Sequence, residues 1–332
     1  MRERRGGSAL ITYLEAIREA MWEEMKDDET VFIMGEDVGV YGGAFKITEG
    51  FLAEFGPDRV IDTPISEAAI VGAAIGAAHM GLKPVCEMQF IDFIAPAFDM
   101  IVNFAAKVRY RTGVGAGLVI RGPCGGGARA GPFHSQNVES YFANVAGLKM
   151  VAPATAHDAK GLLKAAIRDP DPVLYFEHKF LYRRIKEELP GGKILVPIGK
   201  ARTHREGDDL TLVTYGAMVY KAEEAAELVA REDGAGVEIL DLRSLRPLDI
   251  DAIVTSVKRT GRLLIVHEAP RFGGLAGEIT AQVCEEAFEW LDAPIRRVTA
   301  LDTPVPYSPP LEDYYLPQTE DIVTAARWLL AY

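Results

Sequence analysis

The sequence predicts an α/β protein built from two doubly wound domains with mostly parallel sheets. Short apolar runs alternate with segments of helical period along the chain, the order that a parallel sheet with crossover helices requires. Several of these runs are apolar on both faces, as strands covered by helices on each side are. After Phe180 the alternation is interrupted by a charged, Pro/Gly-rich segment containing Arg183-Arg184, Glu187-Glu188 and Pro190-Gly191-Gly192, and a second α/β series begins beyond it. Such a segment reads as a linker, and 332 residues suit two domains. The expected division is 1–180, a linker at 181–205, and 206–332.

In order, the first series has a helix over 10–26, where apolar residues recur at helical spacing, and strands at 31–34 and 60–65. An Ala/Gly-rich helix follows over 67–80, then a strand at 84–90, a helix over 93–109, strands at 118–120 and 149–152, a helix over 156–167 and a strand at 173–176. The second series has strands at 210–215, 237–242, 263–267 and 297–301, with helices over 217–232, 249–260, 274–292 and 320–331 filling the gaps.

Composition narrows the function classes. The chain is 48% hydrophobic and 25% charged with a formal net charge of −12, which argues against nucleic acid and anionic membranes as main partners. No apolar run approaches the roughly 20 residues of a membrane span. The basic start Met1-Arg2-Glu3-Arg4-Arg5 leads into an amphipathic helix and reads as neither a secretory signal nor a full mitochondrial presequence. Cys86, Cys124 and Cys284 are far apart and odd in number, which suits reduced thiols rather than a disulfide or zinc framework. The expected compartment is the cytoplasm of a bacterium or archaeon, with a processed mitochondrial chain as the second reading.

The run Arg59-Val60-Ile61-Asp62-Thr63-Pro64-Ile65-Ser66-Glu67 passes from a strand through a proline turn into a carboxylate. Glu67 then sits in the first turn of a helix at the carboxyl end of a strand, where α/β sheets build their sites. A helix start favours an ionised acid, whereas burial among Ile65, Ala68, Ala69 and Ile70 would raise its pKa. The competing reading is a helix-capping acid. Gly113-Val114-Gly115-Ala116-Gly117 precedes a strand and so has the wrong order for a dinucleotide fingerprint, and no P-loop is present. Gly273-Gly274-Leu275-Ala276-Gly277 follows a strand but lacks a matching acid further on.

Segment 122–133 has five glycines and two prolines in twelve residues and leads to His134-Ser135-Gln136. It reads as a flexible loop carrying a histidine able to move a proton near neutral pH; a surface histidine is the alternative. No Gly-x-Ser-x-Gly elbow or His-x-x-x-His spacing occurs. Cys124 with His134 leaves a Cys–His hydrolase open as a second class, and a non-catalytic scaffold as a third. Otherwise the chain has an acid, a histidine and aromatics without a complete catalytic set, so a cofactor or partner chain must supply the rest.

Gly35-Glu36-Asp37-Val38, the run 62–67, Glu87-Met88-Gln89-Phe90, the segment 98–111, His134-Ser135-Gln136 and Asp158-Ala159-Lys160-Gly161-Leu162-Leu163 stand in one family's order and spacing. So do Asp241-Leu242-Arg243, Thr260-Gly261-Arg262 with His267-Glu268-Ala269-Pro270, and Asp302-Thr303-Pro304. Over essentially its whole length the chain resembles the beta subunit of the thiamine-diphosphate-dependent decarboxylating component of 2-oxo acid dehydrogenase complexes. The resemblance implies a transketolase-like pyrimidine-binding domain followed by a transketolase C-terminal-like domain.

It further implies that Glu67 hydrogen-bonds a pyrimidine nitrogen of thiamine diphosphate, favouring the imino tautomer that removes the thiazolium C2 proton. Phe93 would lie against the aminopyrimidine, with Glu36 and Gln89 beside the cofactor. His134 would face the reacting carbon and the incoming lipoyl group, on a loop that orders as a gate. Glu36, Glu67 and Asp99 fit a proposed line of acids between two cofactors, which Pro96 interrupts. A potassium site is implied at Ala116, Leu118, Val119, Ala166, Asp169 and Asp171. Gly-Asp-Gly, the usual diphosphate and magnesium motif, is absent, with Gly207-Asp208-Asp209 the nearest approach. The diphosphate and Mg2+ would therefore sit on an alpha subunit in an α2β2 heterotetramer that serves a lipoyl-bearing acyltransferase. Segment 89–96 resembles branched-chain enzymes more than animal pyruvate enzymes; acetoin dehydrogenase is the nearest rival.

Overall fold

The computed structural model describes residues 9–332, so the basic start at 1–8 lies outside the described residues. These residues form two compact units. The first contains the chain up to Cys124 together with Asn144–Ile198, and the second contains Gly125–Ala143 and Gly199–Tyr332.

In the first unit the elements are β1 (Ala9–Thr12), α1 (Tyr13–Asp27), β2 (Val31–Gly35), α2 (Phe51–Phe55), β3 (Val60–Asp62), α3 (Glu67–His79), β4 (Lys83–Glu87), α4 (Val108–Thr112), β5 (Val119–Cys124), β6 (Lys149–Val151), α5 (Ala156–Arg168), β7 (Val173–His178) and β8 (Lys186–Leu189). Its main sheet runs in the order β6-β7-β5-β4-β2-β3, all parallel. β2, β5 and β7 are buried along their whole length, which is why they read as apolar runs. α1 packs against α5. There Lys160 and Lys164, both nearly buried, are paired with Glu19, Glu23 and Glu24.

Four sequence expectations shift here. The predicted helix over 10–26 begins later, at Tyr13. Thr12 accepts the Glu15 N–H (3.1 Å) while the Glu15 carboxylate accepts the Thr12 N–H (2.7 Å), a capping box that fixes the start. β1 before it pairs antiparallel with β8, inside the segment read as linker. The predicted strand 60–65 stops at Asp62, since Pro64 has no N–H to offer a ladder. The predicted helix 93–109 breaks into a 3-10 turn (Ile91–Ala97), a π turn (Met100–Ala105) and α4. Pro96 lies inside it and removes a donor that a continuous helix needs. α2 was not foreseen; Phe51 and Phe55 each meet the Trp22 ring at 5.0 Å, and this aromatic packing holds the short helix.

The second unit contains β9 (Arg202–Arg205), β10 (Leu210–Thr214), α6 (Met218–Asp233), β11 (Val237–Asp241), β12 (Ser244–Arg246), α7 (Ile250–Thr260), β13 (Leu263–Pro270), α8 (Leu275–Ala287), β14 (Arg296–Ala300), α9 (Pro309–Tyr315) and α10 (Thr319–Leu330). Its sheet runs β14-β13-β10-β11-β9. The first four strands are parallel and β9 is an antiparallel edge. The predicted helix 274–292 ends at Ala287, where a 3-10 turn (Phe288–Trp290) takes over.

Gly147 shows how tightly the first unit closes around the irregular segment. Its φ is +96°, and an added Cβ would stand 1.9 Å from the Ala106 carbonyl oxygen. Gly147→Ala is therefore expected to cost about 1–3 kcal/mol. Gly191→Ala, which meets nothing within 4 Å, is expected to be neutral. Thermal unfolding of the two variants side by side checks the difference.

Candidate active site

The carboxyl ends of β4, β2 and β3 lie side by side in the first unit, and the chain leaves each of them through a polar residue. Glu36 follows β2, Thr63 follows β3 and Gln89 follows β4 by two positions. Glu67 opens α3 after the Thr63-Pro64 turn and is 9% exposed. Asp62 ties the loop after β2 to β3 by accepting the Gly39 (2.6 Å) and Val40 (3.1 Å) N–H groups.

Electrostatics set these acids apart. Glu36 is held above the usual carboxylate range by burial, by the Glu67 carboxylate and by Asp37. Asp99 stands apart: it is exposed, and the Asn103 amide donates to it at 2.7 Å. Two buried oxygens, Thr63 Oγ1 and Gln89 Oε1, have no hydrogen-bond partner among the described residues. Buried polar atoms of this kind call for a partner, whether a water, an ion or a bound group. Phe93 is half-buried in the 3-10 turn after β4, and that turn packs against α3, the helix of Glu67.

The apolar residues around Glu67 do not bury it as the sequence suggested. Ile65 is 82% exposed and Ala68 and Ala69 are also exposed, leaving Ile70 as the buried neighbour. Ala68 and Ala69 stand on the exposed side of the first turn of α3.

Beneath the edge lies a cluster that sequence reading missed. Arg121 is fully buried in β5 between Glu87 and Glu177 and donates to both, with Nη2 to Glu177 Oε2 at 2.8 Å. The Tyr182 hydroxyl donates to Glu177 at 2.7 Å. Burial raises Glu87, the Arg121 charge lowers it and Glu177 raises it again, leaving it above its ordinary range. Tyr182 also meets the Phe45 ring at 5.0 Å, and Phe45 meets Phe90 at 5.6 Å, so an aromatic chain runs from the cluster to the residue beside Gln89. An arginine and two acids inside otherwise apolar strands were the available signal.

His134 is half-buried in the second unit, with its N–H on the Gly131 carbonyl at 3.3 Å. Its loop was expected to be flexible, but it is fastened. Glu268 accepts the Gly126 N–H and the Asn137 amide, and Glu312 accepts the Gly127 N–H and Arg129. Cys124 is 4% exposed at the end of β5, and Cys86 is fully buried with its thiol pushed up to about 12 by burial. The setting of Cys86 disfavours a thiolate.

At the implied potassium positions, the Leu118 and Ala166 carbonyls accept the Val173 and Asp169 N–H groups. Asp169 is paired with Lys149 at 2.7 Å and Asp171 with Arg109 at 2.5 Å. The acids already have cationic partners, so these residues do not single out a metal. Among the described residues no group of three or more His, Cys, Asp or Glu is placed to hold one. Nor is any described helix long and apolar enough to cross a membrane.

Comparison with known proteins adds the following. The pattern of the transketolase pyrimidine-binding domain matches residues 9–184, and that of the transketolase C-terminal domain matches 199–322. The chain is 47% identical to 2-oxoisovalerate dehydrogenase subunit beta of Bacillus subtilis (strain 168) over 98% of its length and 100% of the relative's. It is 48% identical to the mitochondrial pyruvate dehydrogenase E1 component subunit beta-1 of Arabidopsis thaliana, over 97% of this chain and 90% of that one. Among solved structures, a split-gene transketolase described as an inactive beta4 tetramer superposes with a TM-score of 0.78 at 23% identity. That match covers 98% of this chain and 99% of that one. It shows the shared two-domain fold.

Proposed function

The chain belongs to the family of beta subunits of pyruvate and 2-oxoisovalerate dehydrogenases, and from that premise we propose how its residues divide the work. It is the beta subunit of the decarboxylating component of a 2-oxo acid dehydrogenase complex, an oxidoreductase, and its relatives favour that reading over acetoin cleavage.

The observation that supports the division of roles is the carboxyl edge of the first unit's sheet. It gathers Glu67, the raised Glu36, and the unpartnered Gln89 and Thr63 oxygens. An acid, an amide and a hydroxyl on one edge suit a flat nitrogen heterocycle with an amino group, and a half-buried phenyl nearby suits its face. These residues fit the pyrimidine end of thiamine diphosphate, which when bound supplies the electron sink for decarboxylation. Glu67 holds the hydrogen bond to the ring nitrogen and shares its proton there. Gln89 and Thr63 complete the polar rim, Phe93 covers the ring, and Glu36 keeps negative charge from accumulating beside Glu67 by resisting ionisation. His134 supplies a proton and orients the acyl acceptor, a lipoyl arm.

The chain has no Gly-Asp-Gly, so the diphosphate and Mg2+ fall to an alpha subunit, in an α2β2 assembly serving a lipoyl-bearing acyltransferase. Three free cysteines suit the reducing cytoplasm of a bacterium or archaeon.

The assembly is tested by assaying the purified chain, with thiamine diphosphate and Mg2+, on pyruvate and on branched 2-oxo acids. Alone it is expected to give no turnover, and addition of the alpha subunit is expected to restore it. Turnover by the beta chain alone overturns the division.

A further inference from the structure

We propose that Glu312, on α9, is a positioning residue for His134: its buried carboxylate clamps the glycine-rich loop that presents the imidazole. The inference rests on the proposed role of His134 and extends it to a residue 185 positions from the loop N–H it holds.

A loop with glycines at 125, 126 and 127 exposes backbone N–H groups without side chains to shield or orient them. It also carries a large conformational entropy that must be offset if one residue in it is to be placed to within a fraction of an ångström. Three devices in the second unit provide this. The Gly125 N–H donates to the Gln136 carbonyl at 3.0 Å and closes the base of the loop. Glu268 joins the two sides, accepting the Gly126 N–H and the Asn137 amide at 2.5 and 2.9 Å through one oxygen.

Glu312 is the deeper of the two acids, with 0% exposure. Its Oε1 accepts the Gly127 N–H at 3.0 Å and its Oε2 accepts Arg129 Nη1 at 2.8 Å. Arg129 in turn donates to the Pro309 carbonyl at 2.9 Å and to Asp313 at 2.7 Å. That grip holds it in the left-handed region at φ +60°. The rising limb of the loop is thus fixed through Arg129 and the returning limb from Asn137, and His134 stands on the short span between them.

The two oxygens of Glu312 face two donors. A glutamine there keeps one acceptor but turns an NH2 group against a second donor, and the clamp opens on one side. A shift of about 1 Å at a reacting group remote from the change costs up to about 100-fold in rate.

The test uses the assembled α2β2 enzyme with its lipoyl-bearing acyltransferase. Glu312→Gln is expected to lower kcat about 10- to 100-fold with KM for the 2-oxo acid nearly unchanged. It is also expected to shift the limb of the pH–rate profile that His134→Ala removes. In a His134→Ala background it is expected to lower the residual rate no further, because the two changes act through one group. Glu320→Gln, an exposed acid of α10 outside the clamp, is the control and is expected to leave the rate unchanged.

Effects of Glu312→Gln and His134→Ala that multiply, or an unchanged kcat, overturn the proposal. If Glu312→Gln does not fold, Arg129→Ala opens the same clamp from the loop side and is judged by the same outcomes. Hydrogen exchange at Gly126 and Gly127, expected to quicken in the variant, reads the clamp without turnover. Failure of the wild-type assembly to act on any 2-oxo acid would therefore count against the functional reading, while unchanged exchange would count against the clamp.

Discussion

Glu67→Gln in the assembled enzyme is expected to lower turnover of 2-oxo acids by about 10²–10⁴-fold, the usual contribution of a positioned proton-transfer group. The amide keeps the shape and one acceptor of the carboxylate but can neither ionise nor share a proton. The site should stay intact, since the substitution is nearly isosteric and sits in the first turn of α3. Cofactor affinity is then expected to fall far less than kcat, and steady-state kinetics with varied thiamine diphosphate separate the two.

Glu36 gives this variant a second readout. Its carboxyl is raised by burial, then by Glu67 and Asp37, so neutralising Glu67 should bring it back toward the ordinary range. An infrared titration of the carboxyl band follows that change. The sign for stability follows from linkage. A carboxyl raised in the fold loses stability as pH climbs from its unfolded value through its folded one, and the variant should lose less over that interval. An unchanged rate in Glu67→Gln would assign the chain a non-catalytic role.

Most of the fold was legible because parallel strands buried on both faces are largely apolar, as β2 is throughout and as β10 and β11 are at most positions. α5 was legible because its apolar face is periodic and Thr155 caps it through the Asp158 N–H. β1 and β8 were missed: four residues each, one of them Lys-Glu-Glu-Leu, carry no period to read. The break at Pro96 was visible as a proline, but apolar spacing on either side outweighed it.

In the site, Glu67 could be found because it opens a helix after a strand, whereas Glu36 and Gln89 were reached through the family resemblance. Their burial could not be read. Ile65, Ala68 and Ala69 look like core residues by composition, yet they face outward. The clamp on the His134 loop was hidden for a different reason. Its carboxylates, Glu268 and Glu312, stand far along the chain, and only the folded second unit brings them to the glycines.

The other large effect is expected in stability. Arg121→Met should destabilise the first unit by about 3–5 kcal/mol, the cost of leaving buried charge without its partner. Arg121 is 0% exposed and Glu177 0%, with Glu87 at 4%, so water cannot replace the guanidinium. The wild-type cluster already holds two carboxylates against one cation, and Glu87 responds with a pKa above its ordinary range. Removing Arg121 takes away the one contribution that lowers it.

Buried carboxylates left without their cation favour the protonated form, which fixes the sign of the pH dependence. The deficit should be largest at neutral and alkaline pH, where the unfolded chain releases those protons freely. It should shrink on acidification, as the unfolded carboxyls also become protonated. Urea unfolding of wild type and variant between pH 5 and 8 measures the trend. A deficit independent of pH would mean that the loss is one of packing volume. Arg121→Met combined with Glu87→Gln and Glu177→Gln separates the cases, because it removes the charges while keeping most of the volume. If the penalty is electrostatic, the triple variant should recover much of the stability that Arg121→Met alone loses.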